Sequence, residues 1–233
     1  MIDILLAGVG GQGTVLAAKV LAQAAQSKGW QVRTAETIGM AQRGGNVTSH
    51  VRMGSNGEAV YSPLITPGTA DMVIALEPGE AARALPYLAS GGVLVTATTA
   101  IQPVTAALAS QPYRAGDVVA ALANSLQAEA SREQAAKAVV APNDAAGLQG
   151  TAAPDVEGYP VPLFVPVDDE ALVREAGEGS RKSLNMMLLA VAVAQGRVPL
   201  TVDELKDAVR ACVRPQFVAM NLTAIDAAVE AYG

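Results

Sequence analysis

Apart from Asp3, the run from Ile2 to Ala7 is apolar, the pattern of a strand buried on both faces within a parallel sheet. Ala, Leu and Val then dominate Thr14 to Ser27, which predicts a helix, and Gly29 stands where its C-cap belongs. Gln31 to Thr34 predicts a second short strand, closing a β-α-β unit of about 35 residues. Glu36 to Asn46 is polar and glycine-containing and reads as a loop. Beyond it, Val47, Ser49, Val51 and Met53 alternate with Thr48, His50 and Arg52, which predicts a half-exposed strand with a hairpin turn at Ser55-Asn56-Gly57.

Met72 to Leu76 predicts a buried strand, Gly79 to Tyr87 a helix, and Val93 to Thr96 a strand after a break at Gly91-Gly92. Asp117 to Val140 fits one long Ala-rich helix or two shorter pieces. Ala141 to Pro162 is rich in Pro, Gly, Ala and Asp and reads as a loop. Leu163 to Val167 resumes strand character, and Asp169 to Glu175 is helical. Thr201-Val202-Asp203-Glu204 is a capping box that opens a helix toward Ala211. A final helix carries Val218, Leu222, Ile225 and Val229 on one stripe. The order of elements predicts a Rossmann-like α/β fold: an open, mostly parallel sheet with helices on both faces and some antiparallel pairing.

Composition narrows the function. The 233 residues are 51% hydrophobic but only 3% aromatic, which suits small side chains packed closely between helices and a sheet. A net charge of −6 argues against a nucleic-acid surface. One cysteine, Cys212, excludes an intrachain disulfide and any Cys-rich metal or iron–sulfur site built by this chain alone; its helical setting predicts a small buried hydrophobe. Met1-Ile2-Asp3 leads into the first strand without a basic n-region, so a cytoplasmic protein is expected. The longest apolar stretch, Leu184 to Ala194, is too short to span a bilayer.

The candidate chemistry begins at Gly8-Val9-Gly10-Gly11-Gln12-Gly13, a G-x-G-x-x-G pattern set between a strand and a helix. Such a turn can bring backbone N–H groups and a helix N-terminus to an anion. Glu36 stands where a nicotinamide-binding domain places its ribose-binding acid, so a free-standing NAD- or FAD-dependent oxidoreductase is one reading. Another is that the glycines serve only close helix–strand packing, in a partner-binding scaffold without a ligand. The following segment, Gln42-Arg43-Gly44-Gly45 and then His50 and Arg52, adds three potential cations to an acidic chain and a backbone open to close approach.

Taken together, Gly8 to Gly13, Gly39-Met40-Ala41-Gln42-Arg43-Gly44-Gly45 and Ser49-His50-Val51-Arg52 resemble the gamma-type domain of the 2-oxoacid:ferredoxin oxidoreductases, in the form found in the family's indolepyruvate branch. Asp71 to Glu77, Gly91-Gly92 and Ser183-Leu184-Asn185-Met186 continue the resemblance along most of the chain. It implies one gamma-type domain over residues 1–233, with an insertion around 125–162. It also implies a non-catalytic small subunit, inactive alone, beside a larger alpha subunit that holds thiamine diphosphate, Mg and 4Fe-4S clusters and passes electrons to ferredoxin. The chain has neither a Cys cluster nor a Gly-Asp-Gly segment of the kind that holds the diphosphate.

The implied reaction converts an arylpyruvate, such as indolepyruvate or phenylpyruvate, and coenzyme A to an aryl-acetyl-CoA, CO2 and reduced ferredoxin. Gly8, Gly10, Gly11, Gln12, Gly13, Gln42, Arg43, Gly44, Gly45, His50, Arg52 and Asn185 are the expected partner- or cofactor-facing residues. Arg43 and Arg52 are the candidates for a phosphate or carboxylate, including those of coenzyme A. Asn185 is expected to orient a loop or ligand, or only to cap its own helix. No catalytic residue, metal ligand, nucleic acid or membrane is expected, and the isolated chain is expected to self-associate through faces that await a partner.

Overall fold

The computed structural model describes residues 1–39, 45–55, 57–101, 113–140, 162–177 and 180–233. Six strands form one sheet in the order β2-β3-β1-β4-β5-β6. They are β1 (Ile2–Val9), β2 (Gln31–Ile38), β3 (Asn46–Gly54), β4 (Ala70–Ala75), β5 (Leu88–Ala97) and β6 (Leu163–Val167). β3 lies antiparallel between β1 and β2, and the β1-β4-β5-β6 half is parallel. The expected mixture of mostly parallel and some antiparallel pairing is therefore present.

The first helix, α1 (Thr14–Ser27), returns the chain to β2. It ends as expected at Gly29, whose φ of 76° lets its N–H reach Gln26 O at 2.9 Å while Trp30 N–H reaches Ala25 O at 3.2 Å. α1 packs on one sheet face with α5 (Leu184–Ala194), α6 (Val202–Cys212) and α7 (Pro215–Tyr232). The apolar stretch from Leu184 forms α5, and every residue from Leu184 to Val193 is buried. A helix apolar on all sides belongs inside a layer rather than on its surface. Among the described residues no helix is long and apolar enough to cross a membrane.

The opposite face carries α2 (Pro78–Ala84) and α3 (Ala115–Val140), packed on Leu5, Ala7, Val73, Ala75 and Leu94. α4 (Asp169–Glu175) follows β6. α6 starts at the expected capping box: Thr201 Oγ1 accepts from Glu204 N–H at 3.2 Å, and Glu204 Oε2 accepts from Thr201 N–H at 2.8 Å. In α7 the stripe is displaced. Ile225 is buried, but Val218, Leu222 and Val229 are only partly so, and Asn221, Ala224 and Ala228 complete the deepest line. The small side chains of Ala224 and Ala228 allow a close approach to α5 that a row of Val and Leu would prevent.

Several expected boundaries move. Glu36 to Ile38 belongs to β2, not to a loop, because each residue finds a partner on β3. Gly91-Gly92 lies inside β5, where the register with β4 shifts between Ala70 and Met72; the glycines make an irregularity rather than a break. The helix expected over Gly79 to Tyr87 is α2 followed by a 3-10 turn at Leu85–Tyr87, since Pro86 cannot continue an α-helix. Asp117 to Val140 is part of one helix, so Ser125 to Val140 of the expected insertion is helical; residues 141–161 lie outside the described residues. Cys212 is half-buried rather than fully buried.

The turn after β3 is present, with Glu58 N–H donating to Ser55 O at 3.1 Å, but no return strand follows among the described residues. The chain instead crosses β3. Arg52 donates to Ser62 O at 3.2 Å and Leu64 O at 3.3 Å, and Ile65 N–H donates to His50 Nδ1 at 3.2 Å. The strand expected to be half-exposed is consequently central and largely covered.

Candidate functional site

The glycine turn lies at the C-terminal end of β1, where loops from four parts of the chain meet. Gln12 holds two of them: its Oε1 accepts from Val9 N–H at 2.6 Å, and its Nε2 donates to Leu76 O at 2.8 Å. Gly10 N–H donates to Gly45 O at 2.8 Å. Asn185 Nδ2 donates to Gly13 O at 3.0 Å, across 172 positions of sequence. Gly13 is required twice over: its φ is +81°, and a Cβ there would lie 2.5 Å from Asn185 Nδ2. A Cβ on Gly8 would meet Thr14 Oγ1 at 2.8 Å and Gln12 Oε1 at 2.9 Å.

The structure thus unites Gly8 to Gly13, Gly45 and Asn185, but mostly by satisfying their polar groups internally. Gly10 has no N–H left for an anion. Asn185 uses both ends of its amide: Oδ1 accepts from Met186 N–H at 3.0 Å while Nδ2 donates to the turn; the N-cap of its helix is Ser183. What remains for a ligand is Gly11 and the first turn of α1, whose Gly13 N-cap provides no side-chain acceptor.

Gly11 and Gln12 border a crevice of about 200 Å3 at the ends of the parallel strands, also lined by Thr99, Asp169, Arg181 and Lys182. Asp169 is buried; its Oδ1 accepts from Thr98 N–H at 3.1 Å and Thr99 N–H at 2.9 Å. Asp169 Oδ2 has no hydrogen-bond partner, and Arg181 Nη2 stands 3.9 Å away. Arg181 and Lys182 are exposed, so two cations face the opening that Gly11 and Gln12 border. Sequence reasoning missed Arg181, Lys182 and Asp169. The available signal was the pair of cations three and four positions before Asn185, immediately ahead of a motif already singled out.

Arg52 and His50 do not join this site. The antiparallel register places Arg52 opposite Asp3, whereas Gly8 pairs with Val47 at the other end of the strands. Arg52 Nε donates to Asp3 Oδ1 at 2.9 Å, Nη1 serves two carbonyls and Nη2 reaches Met1 Sδ at 3.0 Å. Its guanidinium is a structural clamp. His50 is buried, and burial lowers its pKa, so it is neutral near pH 7 and is not the third cation. Gln42, Arg43 and Gly44 lie outside the described residues.

Glu36 is also displaced from its expected role. β3 separates β2 from β1, which puts the Glu36 strand about 10 Å from the strand that carries the turn. A ribose spanning the turn and the next strand's acid has no such gap to cross in a dinucleotide fold. As for other groups, a single Cys cannot supply an iron–sulfur cluster, and no three His, Cys, Asp or Glu side chains gather around a metal position among the described residues. These residues fit neither a cluster nor a metal-bound diphosphate.

The family described as pyruvate ferredoxin/flavodoxin oxidoreductase matches residues 3–231. Indolepyruvate oxidoreductase subunit IorB of Pyrococcus horikoshii is 30% identical over 98% of this chain and 95% of its own length. The gamma subunit of a keto/oxoacid ferredoxin oxidoreductase from Geobacter sulfurreducens shares the fold, with TM-score 0.57 and 19% identity over 99% of this chain and 97% of that one. A 2-oxoglutarate:ferredoxin oxidoreductase from Magnetococcus marinus contains the same fold, with TM-score 0.60 and 18% identity over 100% of this chain and 31% of that longer one.

Proposed function

The chain belongs to the pyruvate ferredoxin/flavodoxin oxidoreductase family, as a small subunit of a 2-oxoacid:ferredoxin oxidoreductase, and from that premise we propose that it serves an arylpyruvate-oxidising complex. The reaction is CoA-dependent oxidative decarboxylation of indolepyruvate or a related arylpyruvate, giving aryl-acetyl-CoA, CO2 and reduced ferredoxin. Thiamine diphosphate, Mg and 4Fe-4S clusters reside in the larger alpha subunit; this chain's single cysteine cannot ligate a cluster, and no three His, Cys, Asp or Glu side chains gather around a metal position among the described residues.

The chain's own contribution is a binding surface at the C-terminal ends of its parallel strands. The observation that carries this is the convergence of Gly8 to Gly13, Gly45 and Asn185 beside two exposed cations, Arg181 and Lys182. The internal bonds fix the turn's shape, so that Gly11, the α1 N-terminus and the two cations present a preorganised face to an anion. Coenzyme A, with its phosphates, is the anion the reaction brings. Arg181 and Lys182 take the part expected of Arg52, whose charge is consumed by Asp3.

Co-expression with the larger subunit tests the reading. The two chains are expected to purify together, and arylpyruvate-dependent reduction of ferredoxin is expected only when both are present. Saturable binding of NAD or FAD by this chain alone, with no recovery of a larger partner, would instead support the free-standing dinucleotide enzyme.

A further inference from the structure

On the sheet face away from α1, between β3 and α2, lies a second cavity of about 220 Å3. Its floor is apolar, made by Leu5 and Ala7 of β1 and Ala84 of α2. Two aromatic rings, His50 and Tyr87, stand edge to face in its wall with centroids 5.9 Å apart. The remaining wall is polar. Thr37 and Thr48 are cross-strand partners and bring two hydroxyls side by side. Arg83 reaches the mouth from α2, exposed to solvent.

Beside the Asn46 amide and the Glu80 carboxylate, the lining presents several donors. His50 Nδ1 accepts from Ile65 N–H at 3.2 Å, which leaves the ring proton on Nε2. That N–H has no partner among the described residues, although His50 is 5% exposed. Arg83 gives Nη1 to Glu80, so the Glu80 carboxylate is already paired, while Arg83 Nε and Nη2 have no partner among the described residues. An imidazole N–H of a cavity-lining ring, two hydroxyls and part of a guanidinium call for acceptor oxygens, and the rings and aliphatic floor call for a flat apolar body. The volume falls below the roughly 300–1,000 Å3 of pockets that hold drug-sized ligands, so the occupant is a small molecule of few atoms.

We propose that this cavity binds a small aromatic carboxylate of the arylacetate class, its carboxylate toward Arg83 and the threonine hydroxyls and its ring over Leu5 and Ala7 between His50 and Tyr87. The aryl identity rests on the function proposed above; the pairing of a carboxylate with an apolar body rests on the cavity alone. The site is separate from the crevice at Arg181.

His50 is the sole histidine of the chain, so its imidazole NMR signals report on this cavity without further labelling. The full chain is titrated with phenylacetate and, separately, with the neutral 2-phenylethanol. Phenylacetate is expected to shift the His50 ring signals saturably with a midpoint of about 1 mM, and 2-phenylethanol to bind about tenfold more weakly. Arg83→Gln, at an exposed position, is expected to abolish that preference for the acid while the backbone spectrum stays folded. The absence of a His50 shift up to about 20 mM phenylacetate, or equal binding of acid and alcohol by the wild-type chain, would overturn the proposal without recourse to any variant. Because the titration involves neither partner nor turnover, its failure leaves the subunit assignment standing, and failed co-purification leaves a positive titration standing.

Discussion

Arg52 and Arg181 stand at opposite ends of the same sheet, and only one of them has a charge to offer. At the Met1 end, Arg52 meets Asp3, which is 6% exposed, and two carbonyls of the crossing segment, while Asp3 N–H donates to Asp71 Oδ2 at 2.8 Å. That network is closed. At the glycine-turn end the backbone is equally well tied, by Gln12, Gly45 and Asn185, yet among the described residues Arg181 reaches its nearest carboxylate only at 3.9 Å. Residue type is therefore a poor guide to role. What separates a clamp from a binding group is whether the fold has already supplied the counter-charge.

The comparison breaks first at Arg52. Arg52→Ala is expected to cost about 2–3 kcal/mol in urea unfolding, because it leaves the Asp3 carboxylate buried and unpaired. Adding Asp3→Asn should recover a large part of that loss, and full additivity of the two changes would show that the pair is not a unit.

At the other end the largest effect belongs to Gly13. Gly13→Ala is expected to cost about 2 kcal/mol, from the left-handed backbone and the displacement of Asn185. Asn185→Ala should cost about 1–2 kcal/mol, and the double variant less than the sum, since removing the amide makes room for the new methyl. A simple sum would place the Gly13 requirement elsewhere.

The smallest effect is that of His50 on pH dependence. Its folded pKa is depressed by burial, so the unfolded chain takes up this proton first as pH falls. The contribution to stability is fully present above the unfolded value near 6.5 and is lost as pH falls through the lower folded value. His50→Gln is expected to flatten the stability profile over that acidic window, compared with wild type by thermal melts. An unchanged difference between the two proteins from pH 7 to about 5 would contradict the neutral assignment.

Much of this fold is legible in the sequence because its strands and caps are locally determined. β1, β6, α4 and the Thr201 capping box follow from apolar runs and short-range hydrogen bonding that need no distant partner. β2 is longer than its pattern because Glu36, Thr37 and Ile38 are held by β3, and sequence alone carries no record of that pairing. β3 looks half-exposed because alternation reports what a strand could leave open, not that residues 58–65 cross it. The site divides in the same way. Gly8 to Gly13 and Asn185 are visible as motifs, and their meeting across 172 positions is not. Arg52 stands out by its place in a motif, whereas Arg181 and Lys182 gain their role only from the crevice that the ends of β1, β4 and β5 create.

The most direct test measures the apparent KM for coenzyme A in the two-subunit complex carrying Arg181→Ala with Lys182→Ala, beside a complex carrying Arg52→Ala. Removing the exposed pair is expected to raise KM about tenfold and to change the stability of the chain by less than about 0.5 kcal/mol. Arg52→Ala is expected to lower stability and leave KM near the wild-type value. An unchanged KM in the Arg181 and Lys182 variant, or an equal rise in the Arg52 variant, would contradict the division between the two ends of the sheet.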